Sequence, residues 1–320
     1  MKDNLEDQNQ IAELKSASDT DFGSWDNTYT AIKNDAYTDI LVGDFDGDGV
    51  EDLLYRWEQS GNKRIYYDDD NTFGNHNDDT YWIYGFWGQP FQDDDSFCAD
   101  MDGDGKCDIM NVDNLGWLTI DLASDGLGDT DSCFSGYGYM ESYTFCFADL
   151  DGDTKADVFR VDNYGNVRID YADDGFGSWD VSYSGYGDRR DNTFILADMD
   201  GDNLADIFKV GKDGYIHFDY ADDGFGSWDE HHSGYGDKRY NTFRLKDLDG
   251  DGSADIARLN NSGYVRIDYA DDGFGSWDES HSGYGSQRNR SFYCGDYDGD
   301  TKADIIVWVD YSFHVDWADE

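Results

Sequence analysis

Six times along the chain, aspartates fall at positions 1, 3, 5 and 9 of the pattern D-x-D-G-D-x-x-x-D. The copies are Asp44, Asp46, Asp48 and Asp52; Asp100, Asp102, Asp104 and Asp108; and Asp149, Asp151, Asp153 and Asp157. The remaining three are Asp198, Asp200, Asp202 and Asp206; Asp247, Asp249, Asp251 and Asp255; and Asp296, Asp298, Asp300 and Asp304. Carboxylates at this spacing offer hard oxygen donors to a divalent cation, and the backbone carbonyl at position 7 adds another. The glycine at position 4 permits the bend that brings positions 1, 3 and 5 onto one centre. Calcium, which takes about six to eight oxygens in flexible loops, suits the pattern better than magnesium, which wants a tighter octahedron. As plain polar turns, four uncompensated carboxylates a few ångströms apart would repel by several kcal/mol.

A second set of residues has binding chemistry. "DYADDGFGSWD" at 170–180, 219–229 and 268–278 is followed by "SGYGDRR" (184–190), "SGYGDKR" (233–239) and "SGYGSQR" (282–288). These place Trp179, Tyr186 and Arg190, then Trp228, Tyr235 and Arg239, then Trp277, Tyr284 and Arg288 in matching slots. Aromatic faces take the C–H faces of sugars, and polar groups fix the hydroxyls. The tryptophans serve equally as packing between repeats, and the Tyr/Arg loop as a glycine-bent connector; the residues alone leave both roles open. Enzyme chemistry is not indicated. The six histidines (His76, His217, His231, His232, His281, His314) are scattered, and "SGYG" lacks the setting of a nucleophile elbow. A polysaccharide lyase using Tyr, His and Arg is the enzymatic alternative.

The elements that must hold these residues repeat as well. The acid turns begin 56, 49, 49, 49 and 49 residues apart, the mark of a repeat architecture. Within one unit "TFRLKD" (242–247), "ADIARLN" (254–260), "YVRIDYA" (264–270) and "FGSWDESHS" (274–282) alternate apolar with polar residues between Gly, Asp and Asn turns. That is a meander of four strands, and such a unit fits a propeller blade. The expected fold is therefore all-β, a six-bladed β-propeller, with seven blades the less favoured count. The last unit stops at "VDWADE" (315–320), and its missing segment sits at the other end as "DFGSWDNTYT" (21–30). Residues 21–320 then make one domain closed by an N-terminal strand pairing into the last blade, with 1–20 a polar tail. In the more diverged early units "IYGFWGQP" (83–90) stands in for the Tyr/Arg loop.

Composition agrees. Aromatic residues at 17 % with 37 glycines suit a turn-rich β domain and not a disordered acidic chain. The net charge of −49 would repel nucleic acid, and no apolar run approaches the length that spans a bilayer. The acid turns hold 24 of the 72 acidic residues, so a solvated acidic shell accounts for much of the rest. Five cysteines show no CxxC pair; Cys98 with Cys107, and Cys133 with Cys146, are the pairings the spacing allows, leaving Cys294 free. The N-terminus has no hydrophobic signal core. Either a signal was removed and replaced by Met1, or the protein is exported otherwise or stays inside the cell.

The acid turn is similar to the start of an EF-hand loop, though the bidentate Glu at position 12 is absent and strands flank it. As a whole, residues 21–320 resemble the FG-GAP/VCBS repeats of integrin α-subunit heads and of fungal and bacterial propeller lectins. The resemblance implies about six structural calcium ions on the 24 aspartates and no catalytic ion. Members of that family usually have seven blades and longer repeats, and here the FG-GAP phrase survives only as "FGSWD". The expected function is a secreted, calcium-stabilised module that binds carbohydrate multivalently as a lectin does. The rival is a structural or cell-adhesion module with a protein partner, for which Tyr183, His232 and His281, in one repeat slot, would form a face.

Overall fold

The structure, a computed structural model, describes residues 22–23, 25–30, 37–57, 63–67, 80–83, 95–287, 291–309 and 312–318. The tail at 1–20, Arg288 and most of "IYGFWGQP" lie outside the described residues. Alternating sequence becomes alternating burial. In "YVRID", Tyr264 is exposed while Val265, Ile267 and Asp268 are buried.

The strands are β1 (Asn27–Thr30), β2 (Tyr37–Gly43), β3 (Asp52–Trp57), β4 (Lys63–Tyr66), β5 (Thr80–Ile83), β6 (Asp95–Ala99), β7 (Asp108–Val112), β8 (Trp117–Asp121) and β9 (Ser132–Ser135). Next come β10 (Tyr143–Ala148), β11 (Asp157–Asp162), β12 (Asn166–Asp170), β13 (Val181–Ser184), β14 (Asn192–Ala197), β15 (Asp206–Gly211), β16 (Tyr215–Asp219) and β17 (Glu230–Ser233). The chain ends with β18 (Asn241–Lys246), β19 (Asp255–Asn260), β20 (Tyr264–Asp268), β21 (Glu279–Ser282), β22 (Ser291–Gly295), β23 (Asp304–Val309) and β24 (Ser312–Asp316). All pairings are antiparallel between sequence neighbours, except that β1 joins β24 with Asn27 opposite Val315 and Thr30 opposite Ser312.

The blade count needs correcting in one respect. What the period presents as six like repeats is five blades, β2–β5, β6–β9, β10–β13, β14–β17 and β18–β21, each drawn from one continuous stretch. The remaining four-stranded sheet, β22–β24 with β1, comes from no single stretch but from both ends of the chain. A seventh sheet does not occur among the described residues. The proposed strand "FGSWDESHS" is also shorter than expected: only Glu279–Ser282 pairs, and Phe274–Asp278 is a loop. Gly273 and Gly275 hold φ of 81° and 130° there, a backbone no strand adopts.

The core lies between sheets. Separate clusters of buried apolar side chains join each sheet to the next. One joins Phe208, Val210 and Phe218 to Phe243, Leu245 and Ile256. The ring closes through Ile40, Leu53 and Tyr55 packed with Ile306, Phe313 and Val315. Each fully buried branched side chain contributes about 1.5–3 kcal/mol, so every seam is a small core of its own.

The N-terminal segment takes every role of the loop it replaces. The N–H of Gly23 donates to Asp316 Oδ2 at 2.9 Å, as Gly226 does to Asp219 at 3.1 Å. Trp25 sits edge-on to Tyr284 at 4.7 Å, and Asp26 accepts the N–H of Trp317 at 3.0 Å. Deleting residues 1–30 is expected to lower the melting temperature and to produce higher oligomers in size-exclusion chromatography, because β24 becomes an open edge. Trp25→Ala should cost about 2 kcal/mol in urea unfolding. Unchanged melting and a clean monomer from both would contradict this closure.

Candidate functional site

The six acid turns sit at one end of the ring, between the first and second strand of each sheet. Their hydrogen bonds repeat. Position 1 takes several backbone N–H groups: in the fourth turn, Gly201 and Asp202 donate to Asp198 Oδ1 at 2.7 and 3.2 Å and Asn203 to Oδ2 at 2.8 Å. Asp202 accepts from Leu204 at 2.8 Å. Position 9 is buried and accepts twice, Asp206 Oδ2 from Met199 and Oδ1 from Ala221. Position 6 needs a positive φ, which glycine supplies in three turns and Thr154, Asn203 and Thr301 adopt at 72°, 69° and 78°. A β-branched residue in that region is strained, and such strain gathers at functional loops.

The turns are also locked to one another. The N–H at position 8 donates to the position-1 carbonyl of the turn before it. These bonds are Cys107 to Asp44, Ala156 to Asp100, Ala205 to Asp149, Ala254 to Asp198 and Ala303 to Asp247, with Glu51 to Asp296 closing the circle, all at 2.6–2.8 Å. The position-4 glycines lie against the next turn: a Cβ on Gly250 would meet Lys302 at 3.3 Å, and one on Gly299 would meet Val50 at 3.2 Å.

The donors fit a hard cation. Oxygens of Asp44, Asp46 and Asp48 lie within 4.8 Å of one another, as do those of Asp100, Asp102 and Asp108. Asp149, Asp151 and Asp157 do the same, as do Asp198, Asp200 and Asp206, and Asp247, Asp249 and Asp251. Without a cation the position-9 carboxyls resist ionising. Burial, offset by their backbone donors and reinforced by neighbouring carboxylates, pushes Asp108, Asp157, Asp206 and Asp255 up to about 7 and Asp304 to about 9.

The Trp/Tyr/Arg set does not assemble as one surface site. Tyr186, Tyr235 and Tyr284 are only 1–2 % exposed, because each reaches into the seam with the following sheet. Their hydroxyls donate to Asp219, Asp268 and Asp316, as Tyr137 does to Asp170. Trp179, Trp228 and Trp277 stand edge-on or tilted to Tyr137, Tyr186 and Tyr235 at 4.8–5.1 Å. Cations cover the same indoles, Arg160 at 4.3 Å, Lys209 at 4.2 Å and Arg258 at 4.5 Å. These rings are therefore joints. Tyr183, His232 and His281 also face a seam and not an open face: a Cβ on Gly226, Gly275 or Gly23 would meet them at 2.7–3.1 Å. Arg190 and Arg239 do reach the surface, each paired with the Asp two residues before it (Asp188 and Asp237) at 2.5 Å.

The sequence reading missed a different aromatic set. Among the described residues, the large hydrophobic side chains left exposed are Leu115, Trp117, Tyr139, Tyr164, Tyr215, Tyr240 and Tyr264, at 42–88 %. Leu115 and Tyr164 lie in turns between second and third strands, Trp117, Tyr215 and Tyr264 at the first residue of a third strand, and Tyr139 and Tyr240 in connectors to the next sheet. In an antiparallel meander those loops occupy the end opposite the acid turns. The signal was present as an aromatic beside the hairpin glycine, in "NYGN", "DGYI" and "SGYV", where a turn gains nothing from one. Arg239 lies 5.6 Å from the Tyr240 ring.

Residues 247–307 match the family model of an FG-GAP-like repeat. Among solved structures, the chain resembles one described as the basis of specific recognition of non-reducing terminal N-acetylglucosamine by an Agrocybe aegerita lectin. The TM-score is 0.61 at 20 % identity, over 85 % of this chain and 75 % of that one. A chain of the BBS1N complex with ARL6DN matches with a TM-score of 0.57 at 9 % identity, over 93 % of this chain and 97 % of that one. At these identities the likeness is one of fold. No curated protein sequence matches significantly. The chain is thus a β-propeller carrying an FG-GAP repeat, with a lectin among its structural neighbours.

Asp268 gives the seams a pH dependence. Burial is the largest cause that raises its carboxyl from 3.8 to about 6, against the hydrogen bonds from Tyr235 and Gly275 that lower it. Below 3.8 both folded and unfolded chains hold the proton; as pH rises toward about 6 only the unfolded chain ionises freely, so stability is lost across that window. Asp268→Asn keeps an acceptor without the charge. Its unfolding free energy in urea is expected to fall less than the parent's between pH 4 and 6, by roughly 1–2 kcal/mol. Identical slopes would show that the fold does not resist this ionisation.

Proposed function

We propose that this protein is a cation-stabilised, multivalent carbohydrate-binding module that takes sugar at the end of the ring opposite the acid turns. The observation that carries the reading is the gathering of the exposed aromatic side chains at that one end, beside Arg190 and Arg239. An exposed ring offers its face to pyranose C–H groups, and an Arg–Asp pair beside it supplies donors and acceptors for hydroxyls. Repetition of the same loops around the ring turns weak single contacts into avidity. The lectin among the structural neighbours supports the same direction.

The acid turns carry a supporting role in this reading. Calcium, held by the aspartates at positions 1, 3, 5 and 9, supplies the positive charge that lets the carboxylates stay ionised inside the collar. An extracellular setting, where free calcium is millimolar, would fill even weak sites of this kind.

The tests separate the two halves. On a glycan array in calcium buffer at least one neutral glycan should bind, and Tyr164→Ala and Tyr240→Ala should each weaken that binding about tenfold or more without moving the melting temperature, since stacking on one ring is worth on the order of 1–2 kcal/mol. An empty array, or variants that bind like the parent, would overturn the sugar reading; a protein captured by this same face would replace it. For the collar, EDTA should lower the melting temperature by about 10 °C or more, as loss of ions bound only to the folded state requires. A melting curve indifferent to chelation removes the cation.

A further inference from the structure

The collar is regular except at one sector. Its inner strands end in Gly43, Ala99, Ala148, Ala197, Lys246 and Gly295, and position 8 of its turns holds Glu51, Cys107, Ala156, Ala205, Ala254 and Ala303. The two large position-8 residues each follow a glycine around the ring. The N–H of Glu51 bonds to Asp296, beside Gly295, and that of Cys107 to Asp44, beside Gly43. Neither glycine has a positive φ, so neither is required by the backbone. Each makes room. A Cβ on Gly295 would collide with Glu51 Oε2, and one on Gly43 would lie 2.5 Å from Cys107 Sγ and 3.3 Å from Cys98 Sγ.

The sulfurs of Cys98 and Cys107 therefore converge on one small space. Cys98 Sγ donates to the Val42 carbonyl at 3.1 Å, on the strand that ends at Gly43. Lys246 reaches this sector from the inner strand of another blade and is fixed there by Glu51 at 2.5 Å. Its ammonium lies close enough to act on both sulfurs. The other thiols have no such neighbour: Cys133 is exposed, and Cys146, half-buried, and Cys294, buried, each lie away from any second sulfur. The neighbouring Cys98 thiol and burial push the Cys107 thiol well above its ordinary range, which is why the exchange calls for alkaline pH.

We propose that Cys98 and Cys107 are an oxidisable dithiol that reacts with a small-molecule disulfide and closes to an intramolecular disulfide across the second acid turn. The glycine cradle and the two converging sulfurs serve that exchange together. One cysteine loses its proton and its thiolate attacks a sulfur of the oxidant, breaking that S–S bond and releasing one small thiolate. The other cysteine then loses its proton and attacks the protein sulfur of the mixed disulfide, releasing the second small thiolate. Two electrons pass from the dithiol to the oxidant, and the departing thiolates take up the two protons. Because the pair lies beside Asp100 and Asp108, closure ties the second cation loop to its inner strand.

The test uses the full chain in calcium buffer with excess oxidised glutathione at mildly alkaline pH. Two of the five thiols should vanish from thiol titration, the intact mass should drop by two hydrogens, and peptide mapping should join residue 98 to residue 107. Cys98→Ser and Cys107→Ser should each stop at a glutathione adduct, while Cys133→Ser should close as the parent does. A parent that retains all five thiols, ends as stable glutathione adducts, or joins a different pair overturns the proposal.

Discussion

The structure depends on one backbone bond made around a circle, from the N–H at position 8 of each acid turn to the carbonyl at position 1 of the turn before. Secondary structure alone does not require it, since each sheet already satisfies its own ladder. The bond makes the turns a continuous collar, so no turn can open without disturbing its neighbours. It also fixes the position-4 glycines, whose Cα atoms lie under the next turn, and it links both chain ends through Asp296 and Glu51. The seams beneath reproduce the same circle in side chains, each Tyr hydroxyl crossing to an Asp of the following sheet.

That collar creates its own electrostatic problem. It points N–H groups at the position-1 and position-9 carboxylates, which favours their charge, and then crowds three carboxylates within 4.8 Å, which opposes it. Two unit charges about 4 Å apart repel by about 4 kcal/mol at an effective dielectric near 20. Protonation is one escape, and the shift of the position-9 groups to about 7 and beyond marks how far the fold leans that way. A divalent cation is the other, and it removes the repulsion without giving up the N–H bonds. The strained Thr154 and Thr301 favour the second escape, because a turn that only had to reverse the chain would not need them.

Much of this was legible in the residues. A period of 49 with a turn of fixed spacing gives the repeat, and alternation gives the strands. The loop Phe274–Asp278 was misread as strand because its aromatics imitate an alternating face, whereas Gly273 and Gly275 at positive φ break it. The sequence left Trp228 and Tyr186 open between surface and joint, because large rings with one polar atom suit a wet surface and a buried seam alike. Nothing in the local pattern shows that Asp219 waits across the seam, since that partner is 33 residues away. The exposed rings of Tyr164 and Tyr240 were overlooked because they do not recur at one repeat position. They share an end of the ring and not a slot in the sequence.

The segment from Ser184 to Arg190 shows why the two ends of the molecule are not independent. Tyr186 points inward and holds the seam, while four residues later Arg190 points outward beside Asp188. The N–H groups of Gly185 and Tyr186 both donate to the Gly165 carbonyl at 3.1 Å, which fastens this connector to the hairpin carrying Tyr164. A Cβ on Gly165 would strike the backbone of Gly187, so the two loops touch along their main chains. Tyr164 and Arg190 are thus presented on a support stiffened from below by a buried Tyr–Asp bond and from the side by backbone bonds. Little conformational entropy is left in that backbone for a ligand to remove, which favours binding by shallow contacts. The seam tyrosines, buried in the joints, hold still the loops that carry Tyr164 and Arg190.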